Sequence, residues 1–134
     1  MIALPSKFRI KVYNGTGVTI AAHDITVKVA LQKYDATAAI VESAAVTLFD
    51  SASTLANLAY EAGTWYDNTT DHYVGFHGLC YSNTTGAPSG TIKVFLENTT
   101  DPAGTSNSPS DGRGWMLAEI AHTAAGATTR AIKV

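Results

Sequence analysis

Short runs of alternating apolar and polar residues constrain the fold of this chain more than any other feature. Residues 7–13 read KFRIKVY, so Phe, Ile and Val fall on one face, while Arg and Lys fall on the other. Residues 24–34 and 91–97 repeat the pattern. A period of two is that of a β-strand with one buried face. The buried faces are predicted to contain Phe8, Ile10, Val12, Ile25, Val27, Val29, Leu31, Ile92, Val94 and Leu96.

Turn-forming residues divide the chain into roughly seven or eight strands. Gly, Asn, Asp, Pro and Thr separate the apolar runs, and these residues concentrate in turns. Residues 50–62 fit either a short helix or a loop followed by an edge strand. The predicted fold is all-β: one antiparallel β-sandwich domain over residues 1–134, of jelly-roll or Greek-key type. Strands are predicted at residues 7–13, 24–34, 39–49, 72–82, 91–97, 115–121 and 128–134.

One polar segment, Asn98 to Gly114, is much longer than the other connections. It contains two Pro and three Gly residues and cannot bury enough apolar area to order itself. Loops of this length are usually functional or flexible. Two interpretations remain open: a passive excursion into solvent, or a segment that reaches a neighbouring subunit.

Charge is sparse in this sequence. Charged residues make up 15% of the chain, against about 25% in an average soluble domain. Because the cores of protein interfaces are depleted of charge, this composition favours a subunit that packs against other proteins. The formal net charge is −2, so there is no basic excess for a phosphate backbone, and nucleic acid is not an expected partner.

Cysteine content and the N-terminal sequence restrict the chain's environment. The single cysteine, Cys80, excludes an internal disulfide and is expected to be a buried, unreactive thiol. The first fifteen residues contain no basic region followed by a long apolar run, so neither a signal peptide nor a membrane span is expected. These features are typical of a protein made in a cytoplasm and not associated with a membrane.

No motif for catalysis or for metal binding is present. The sequence has no metalloprotease-type His pair, no phosphate loop leading into a helix and no Gly-x-Ser-x-Gly elbow. Asp67 and Asp71 could offer oxygen ligands to calcium, but their spacing fits an Asx turn better. We therefore expect no enzyme activity, no cofactor and no metal. The four histidines, predicted to be surface or core residues, are His23, His72, His77 and His122.

Aromatic residues are the remaining candidates for a binding surface. Trp65, Tyr66 and Trp115 could stack on sugars, but packing in a core or in a protein interface is the favoured interpretation. Arg113 lies close to Trp115 in sequence, and Arg and Trp carry much of the energy of interfaces. The predicted interface residues are Trp65, Tyr66, Arg113 and Trp115.

Two runs in the C-terminal half carry a resemblance to a known class of proteins. TIKVFLENTTD (Thr91 to Asp101) and SDGRGWMLAEI (Ser110 to Ile120) resemble segments of small β-rich virion proteins of tailed bacteriophages. In those proteins a strand ends in Leu-Glu, a Thr-Thr-Asp type of turn follows, and a loop rich in Asp and Gly leads into the next strand. The N-G-T-G turn after residue 13 is compatible with the same class.

The resemblance implies a non-enzymatic virion protein, first of all a capsid decoration (cement) protein that stabilises the shell. The implied partners are the major capsid protein or other virion proteins, after assembly in the host cytoplasm. A homo-oligomer is expected, with a trimer favoured, because decoration proteins often occupy local threefold axes. A tail or head–tail component is the alternative within the virion, and a carbohydrate- or receptor-binding module is the alternative outside that class.

Overall fold

The computed structural model describes residues 4–98 and 114–134, and these residues form nine strands and no helix. The all-β class is therefore confirmed, with strands at slightly more positions than the alternation predicted. The strands are β1 (Lys7–Gly15), β2 (Ile25–Tyr34), β3 (Ile40–Asp50), β4 (Tyr60–Ala62), β5 (Tyr66–Asp67), β6 (Gly75–Thr84), β7 (Gly90–Asn98), β8 (Gly114–His122) and β9 (Gly126–Lys133).

Two antiparallel sheets pack together as a sandwich. The first sheet has the order β4-β1-β7-β8, and β5 pairs with β1 beside β4. The second sheet has the order β3-β2-β6-β9. The hairpins β2–β3 and β7–β8 each stay within one sheet, whereas the chain crosses between the sheets at the β1–β2, β3–β4, β5–β6, β6–β7 and β8–β9 connections.

The alternating residues of both sheets build the core. Ile10 lies opposite Leu96 and Val12 opposite Val94 in the β1–β7 register, which aligns the apolar faces of the two strands. All ten residues predicted for the buried faces are at most 2% exposed. Because full burial of a Val, Leu, Ile or Phe side chain stabilises a fold by about 1.5–3 kcal/mol, this set supplies a large share of the driving force for folding.

The ambiguous segment 50–62 contains no helix. It is a loop that ends in the three-residue edge strand β4, so the edge-strand alternative is correct. Strand β6 begins at Gly75, three residues later than predicted. The buried Asn68 side chain explains the delay, since its Oδ1 accepts a 2.7 Å hydrogen bond from the Tyr73 N–H and its Nδ2 donates to the Tyr73 carbonyl. These two hydrogen bonds between Asn68 and Tyr73 close residues 68–73 into a loop.

Strand β3 is irregular along its pairing with β2. Leu48 is an extra residue between the Val27–Phe49 and Lys28–Thr47 pairs. A second register shift places Ser43 and Ala44 opposite Leu31, and the Ser43 Oγ accepts a 3.0 Å hydrogen bond from the Leu31 N–H. Bulges of this kind increase the local twist of a strand. Within the described residues β3 has no strand on its outer side.

Candidate functional site

Exposed apolar side chains gather at the end of the β2–β3 hairpin. Tyr34 and Ile40 are a cross-strand pair, so they lie on the same face of the sheet, and they are 59% and 61% exposed. Val41 is the next residue of β3 and therefore points to the opposite face. Val74 lies beside β2, because its N–H donates a 2.8 Å hydrogen bond to the Gln32 carbonyl. Tyr34, Ile40, Val41 and Val74 are called the hairpin end below.

Half of the large apolar side chains that are exposed in the described residues belong to the hairpin end: four of eight. The other four are Leu58, Tyr60, Leu79 and Met116. Scattered exposed apolar residues are ordinary on a protein surface, whereas a contiguous group of them marks an interaction site. Within the hairpin end, Tyr34 and Ile40 form an exposed apolar pair on one face of the sheet, and this pair is the best candidate for a protein contact surface.

The turn that carries the hairpin end is fixed by the Asp35 carboxylate. Its Oδ1 accepts hydrogen bonds from the Thr37 Oγ1 at 2.7 Å, the Thr37 N–H at 2.8 Å and the Ala39 N–H at 3.0 Å. These bonds, that of the Thr37 hydroxyl first, lower the pKa of Asp35 below its usual value. Ala38 has a positive φ of 61°, a conformation that the turn must hold in place. The turn therefore presents Tyr34 and Ile40 in one arrangement.

A cleft of about 460 Å³ lies between the two sheets at the edge formed by β3, β4 and β5. It is lined by residues 47–50, Ala52 and residues 61–66 and is called the edge cleft below. Its size falls within the range of small-molecule sites, about 300–1,000 Å³. Gly63 allows the close approach of its walls, since a Cβ on this residue would lie 2.8 Å from the Leu48 carbonyl oxygen.

The Glu97 and Arg9 side chains together position Trp65 at this cleft. The Glu97 carboxylate is fully buried on the outer side of β7, and its Oε2 accepts a 2.6 Å hydrogen bond from the Arg9 Nε. The Arg9 guanidinium in turn lies over the Trp65 ring, 4.2 Å from the ring centroid. A buried carboxylate needs such pairing, because an isolated charge is costly to remove from water. The ion pair therefore holds the Arg9 plane against one face of the indole.

Two carboxylates contribute to the wall of the edge cleft. The Glu61 Oε1 accepts a 2.9 Å hydrogen bond from the Ala52 N–H, whereas its Oε2 is shielded from solvent without a hydrogen-bond partner among the described residues. Asp50 is more exposed, and its Oδ1 lies 2.9 Å from the His23 Nδ1. The residues that line the cleft include no Lys, Arg or His, so the lining itself carries negative charge.

The structure brings together only part of the predicted interface set. Trp65 and Tyr66 both line the edge cleft, although the Tyr66 ring stacks on Phe8 with centroids 5.2 Å apart and so belongs largely to the packing of the core. Trp115 lies opposite Leu96 in β8, packs against the core and does not line the cleft. Arg113 lies outside the described residues, and so does most of the long polar segment.

Sequence patterns missed the hairpin end and the two acids of the cleft. Tyr34 and Ile40 flank the turn in YDATAAI, where an apolar residue falls at an outward position of each strand. That mismatch with the alternation was the available signal. Glu61 and Asp50 had no comparable signal, because they meet only when β4 lies across the end of β3.

A buried hydroxyl–imidazole cluster joins the two sheets. The His122 ring on β8 lies between two hydroxyls of β6, with its Nε2 2.8 Å from the Ser82 Oγ and its Nδ1 3.2 Å from the Thr84 Oγ1. All three residues are at most 2% exposed, so substrate has no access to this Ser–His pair. Burial lowers the pKa of His122, which favours the neutral ring. The cluster is a polar bridge inside the sandwich.

The Cys80 thiol, the Asp67 carboxylate and candidate metal ligands are the other reactive groups to consider among the described residues. Burial raises the pKa of the Cys80 thiol to about 12, so the thiolate is not formed at neutral pH. Asp67 forms an Asx turn, with its Oδ1 accepting from the Thr69 N–H at 2.9 Å. Residues 4–98 and 114–134 contain no group of three His, Cys, Asp or Glu side chains that could hold a metal ion. The same residues include no helix that could cross a bilayer.

Comparison with known proteins gave no match to any protein-family model, curated protein or solved structure. Function is therefore inferred from the geometry of this chain: a rigid, apolar hairpin end and an acidic cleft with one oriented indole.

Proposed function

We propose that this protein is a non-enzymatic structural subunit of a tailed-bacteriophage virion, and specifically a capsid decoration protein that stabilises the shell. The observation that carries the proposal is the hairpin end, with Tyr34 and Ile40 about 60% exposed on a turn that is fixed by hydrogen bonds. The phage assignment itself comes from the resemblance of residues 91–101 and 110–120 to virion proteins.

The energetics favour a contact role for the hairpin end. Burying a side chain such as Tyr34 or Ile40 against a partner stabilises the complex by about 1.5–3 kcal/mol for each residue. The backbone cost of ordering is reduced, because the Asp35 hydrogen bonds already fix the turn between Tyr34 and Ile40. A virion lattice multiplies such a modest contact over many copies, so each copy needs only a small interface.

The proposed partners are the major capsid protein or other virion proteins. A homo-oligomer, with a trimer favoured, would place three hairpin ends around a local threefold axis of the shell. A tail or head–tail location would use the same surface against a different lattice.

Binding to particles tests the proposal. Particles of the encoding phage that lack this protein should bind the purified chain at a fixed copy number and gain resistance to heat. The double variant Tyr34→Ser/Ile40→Thr should bind at least tenfold more weakly, because two partly exposed apolar anchors are removed. Leu58→Ser is the matched control, since Leu58 is 67% exposed outside the hairpin end.

The measurements are copy number by quantitative mass spectrometry and affinity by sedimentation with particles. Failure of the wild-type chain to bind any particle would exclude the decoration role. Wild-type affinity in the double variant would exclude the hairpin end as the contact surface.

A further inference from the structure

We propose that the edge cleft binds an uncharged oligosaccharide, with Trp65 as the stacking ring and with Asp50 as a hydrogen-bond acceptor. This site is separate from the hairpin end and goes beyond the role in the shell. A virion subunit with such a cleft would attach to neutral glycans while it also stabilises the particle.

The orientation of Trp65 is the first support. Glu97 is fully buried and holds Arg9 at 2.6 Å, and the cation–π contact of Arg9 with the indole restricts the orientation of Trp65. Arg9 covers one face of the ring at 4.2 Å, while Trp65 is partly exposed and lines the edge cleft. A ring that is fixed before binding loses little conformational entropy when a ligand stacks on it. The apolar C–H face of a sugar matches such a platform.

The hydrogen-bonding groups are the second support. Sugar hydroxyls are donors, and hydrogen bonds from a donor to a carboxylate are about twice as strong as those between neutral groups. Asp50 is 44% exposed at the cleft, and its carboxylate is oriented by His23. Glu61 is held in the wall by the Ala52 N–H, and its second oxygen is shielded from solvent, so Glu61 contributes negative charge to the lining and not an accessible acceptor. Thr47 and Thr64 add exposed hydroxyls to the lining.

The charge of the lining decides which sugars fit. Asp50 and Glu61 are acids, and no Lys, Arg or His lines the cleft. Behind the ring, Glu97 pairs with Arg9 at 2.6 Å and lies 4.0 Å from the Lys11 Nζ, and none of these three charged residues lines the cleft. Uronic and sialic acids would therefore be repelled at close range, whereas neutral sugars would not. An apolar ligand fits less well, because carboxylates and hydroxyls would lose water without gaining partners.

The shape of the cleft is set by packing and does not depend on a ligand. The Tyr66 ring is stacked on Phe8 in the core, and Gly63 brings the β4–β5 connection against the Leu48 carbonyl. Both walls are therefore tied to the sandwich, β3 through its pairing with β2 and β4–β5 through their pairing with β1. Such a preformed cleft is typical of binding sites.

Titration with defined oligosaccharides tests the site. Amide chemical shifts of the labelled chain should change at residues 47–50 and 61–66 with maltohexaose or tetra-N-acetylchitotetraose, with a Kd on the order of 1 mM. Tetragalacturonate, an anionic probe of similar length, should bind at least tenfold more weakly. Absence of shifts in the cleft with both neutral probes at 10-fold this concentration, about 10 mM, would overturn the proposal, and so would equal binding of the anionic probe.

Variants separate the roles of the residues. Trp65→Ala should weaken binding of the neutral probe at least tenfold, and Asp50→Asn should weaken it a few-fold while it reduces the discrimination against tetragalacturonate. Tyr60→Ala is the control, because Tyr60 is an exposed aromatic residue on β4 that does not line the cleft. Binding of the neutral probe by Trp65→Ala with wild-type affinity would exclude the stacking role.

The two proposed sites fail independently. Tyr34→Ser/Ile40→Thr should retain the saccharide affinity, and Trp65→Ala should retain the binding to particles. Asp50→Asn keeps the shape of its side chain and therefore tests the cleft even if Trp65→Ala destabilises the fold.

Discussion

At the scale of single residues, the polar groups of the interior are as specific as the apolar ones. Asn14 is fully buried, and its Nδ2 donates to the carbonyls of Val18 at 2.8 Å and Leu55 at 3.0 Å. Its Oδ1 accepts from the Thr16 N–H and hydroxyl. One side chain thus ties the turn after β1 to the loop before β4, since buried backbone groups must be paired.

The buried His122 ring leads to a prediction about how the free energy of unfolding depends on pH. Its folded pKa lies below its ordinary value of about 6.5 because the ring is buried. The unfolded chain therefore binds this proton at a higher pH than the folded chain does. This contribution to stability is fully present above about pH 6.5 and is lost as the pH falls toward the folded pKa, by at most about 1.4 kcal/mol per pH unit.

Urea unfolding of the wild type and of His122→Gln from pH 7.5 to pH 4.5 measures this effect. The glutamine variant keeps a donor and an acceptor between Ser82 and Thr84 but cannot titrate. The difference in unfolding free energy between the two proteins should change in favour of the variant as the pH falls. A difference that stays constant over this range would contradict the assignment.

At the scale of secondary-structure elements, the β2–β3 hairpin depends on one carboxylate. Asp35→Ala removes three acceptor contacts to Thr37 and Ala39, while it leaves the strand pairing of Tyr34 with Ile40 possible. We expect faster amide exchange confined to residues 35–40 and weaker binding to phage particles. Asp67→Ala is the matched control, because Asp67 forms a similar turn with Thr69 outside the hairpin end. Equal exchange and equal particle binding in wild type and Asp35→Ala would show that the turn is not preorganised by this side chain.

The elements also show what the sequence could and could not predict. Strands such as β1, β2 and β7 were predictable because each buries one face along its length and so follows the period of two. β4 was predicted only as one of two alternatives and β5 was missed, because two or three residues carry no periodicity and pair only through their contact with β1. Tyr66 beside Trp65 illustrates the same limit. Whether the Trp65 ring or the Tyr66 ring enters the core depends on the position of Phe8. The stacking of Tyr66 on Phe8 is a tertiary contact that the local sequence does not specify.

At the scale of the whole molecule, stability rests on the two sheets closing over one core. Val94 on the central strand β7 is fully buried between the sheets. Val94→Asp should abolish the cooperative unfolding transition, because an unpaired buried charge costs several kcal/mol and a domain has only about 5–15 kcal/mol in total. Thr91→Asp, on the same strand but facing outward, is the control and should fold.

Thermal unfolding followed by circular dichroism distinguishes the two variants. A Val94→Asp protein that melts like the wild type would mean that the two sheets do not enclose this position.

The two bulges of β3 have a consequence for aggregation. A long, straight edge strand is a template on which further chains can pair without limit, and the end point of that process is a fibril. Here Leu48 and the Ser43–Ala44 pair interrupt the register twice within eleven residues. A second chain could pair with the outer side of β3 for only a few residues before a bulge disrupted the hydrogen-bond register. Growth by edge-to-edge polymerisation is thereby suppressed, even at high protein concentration.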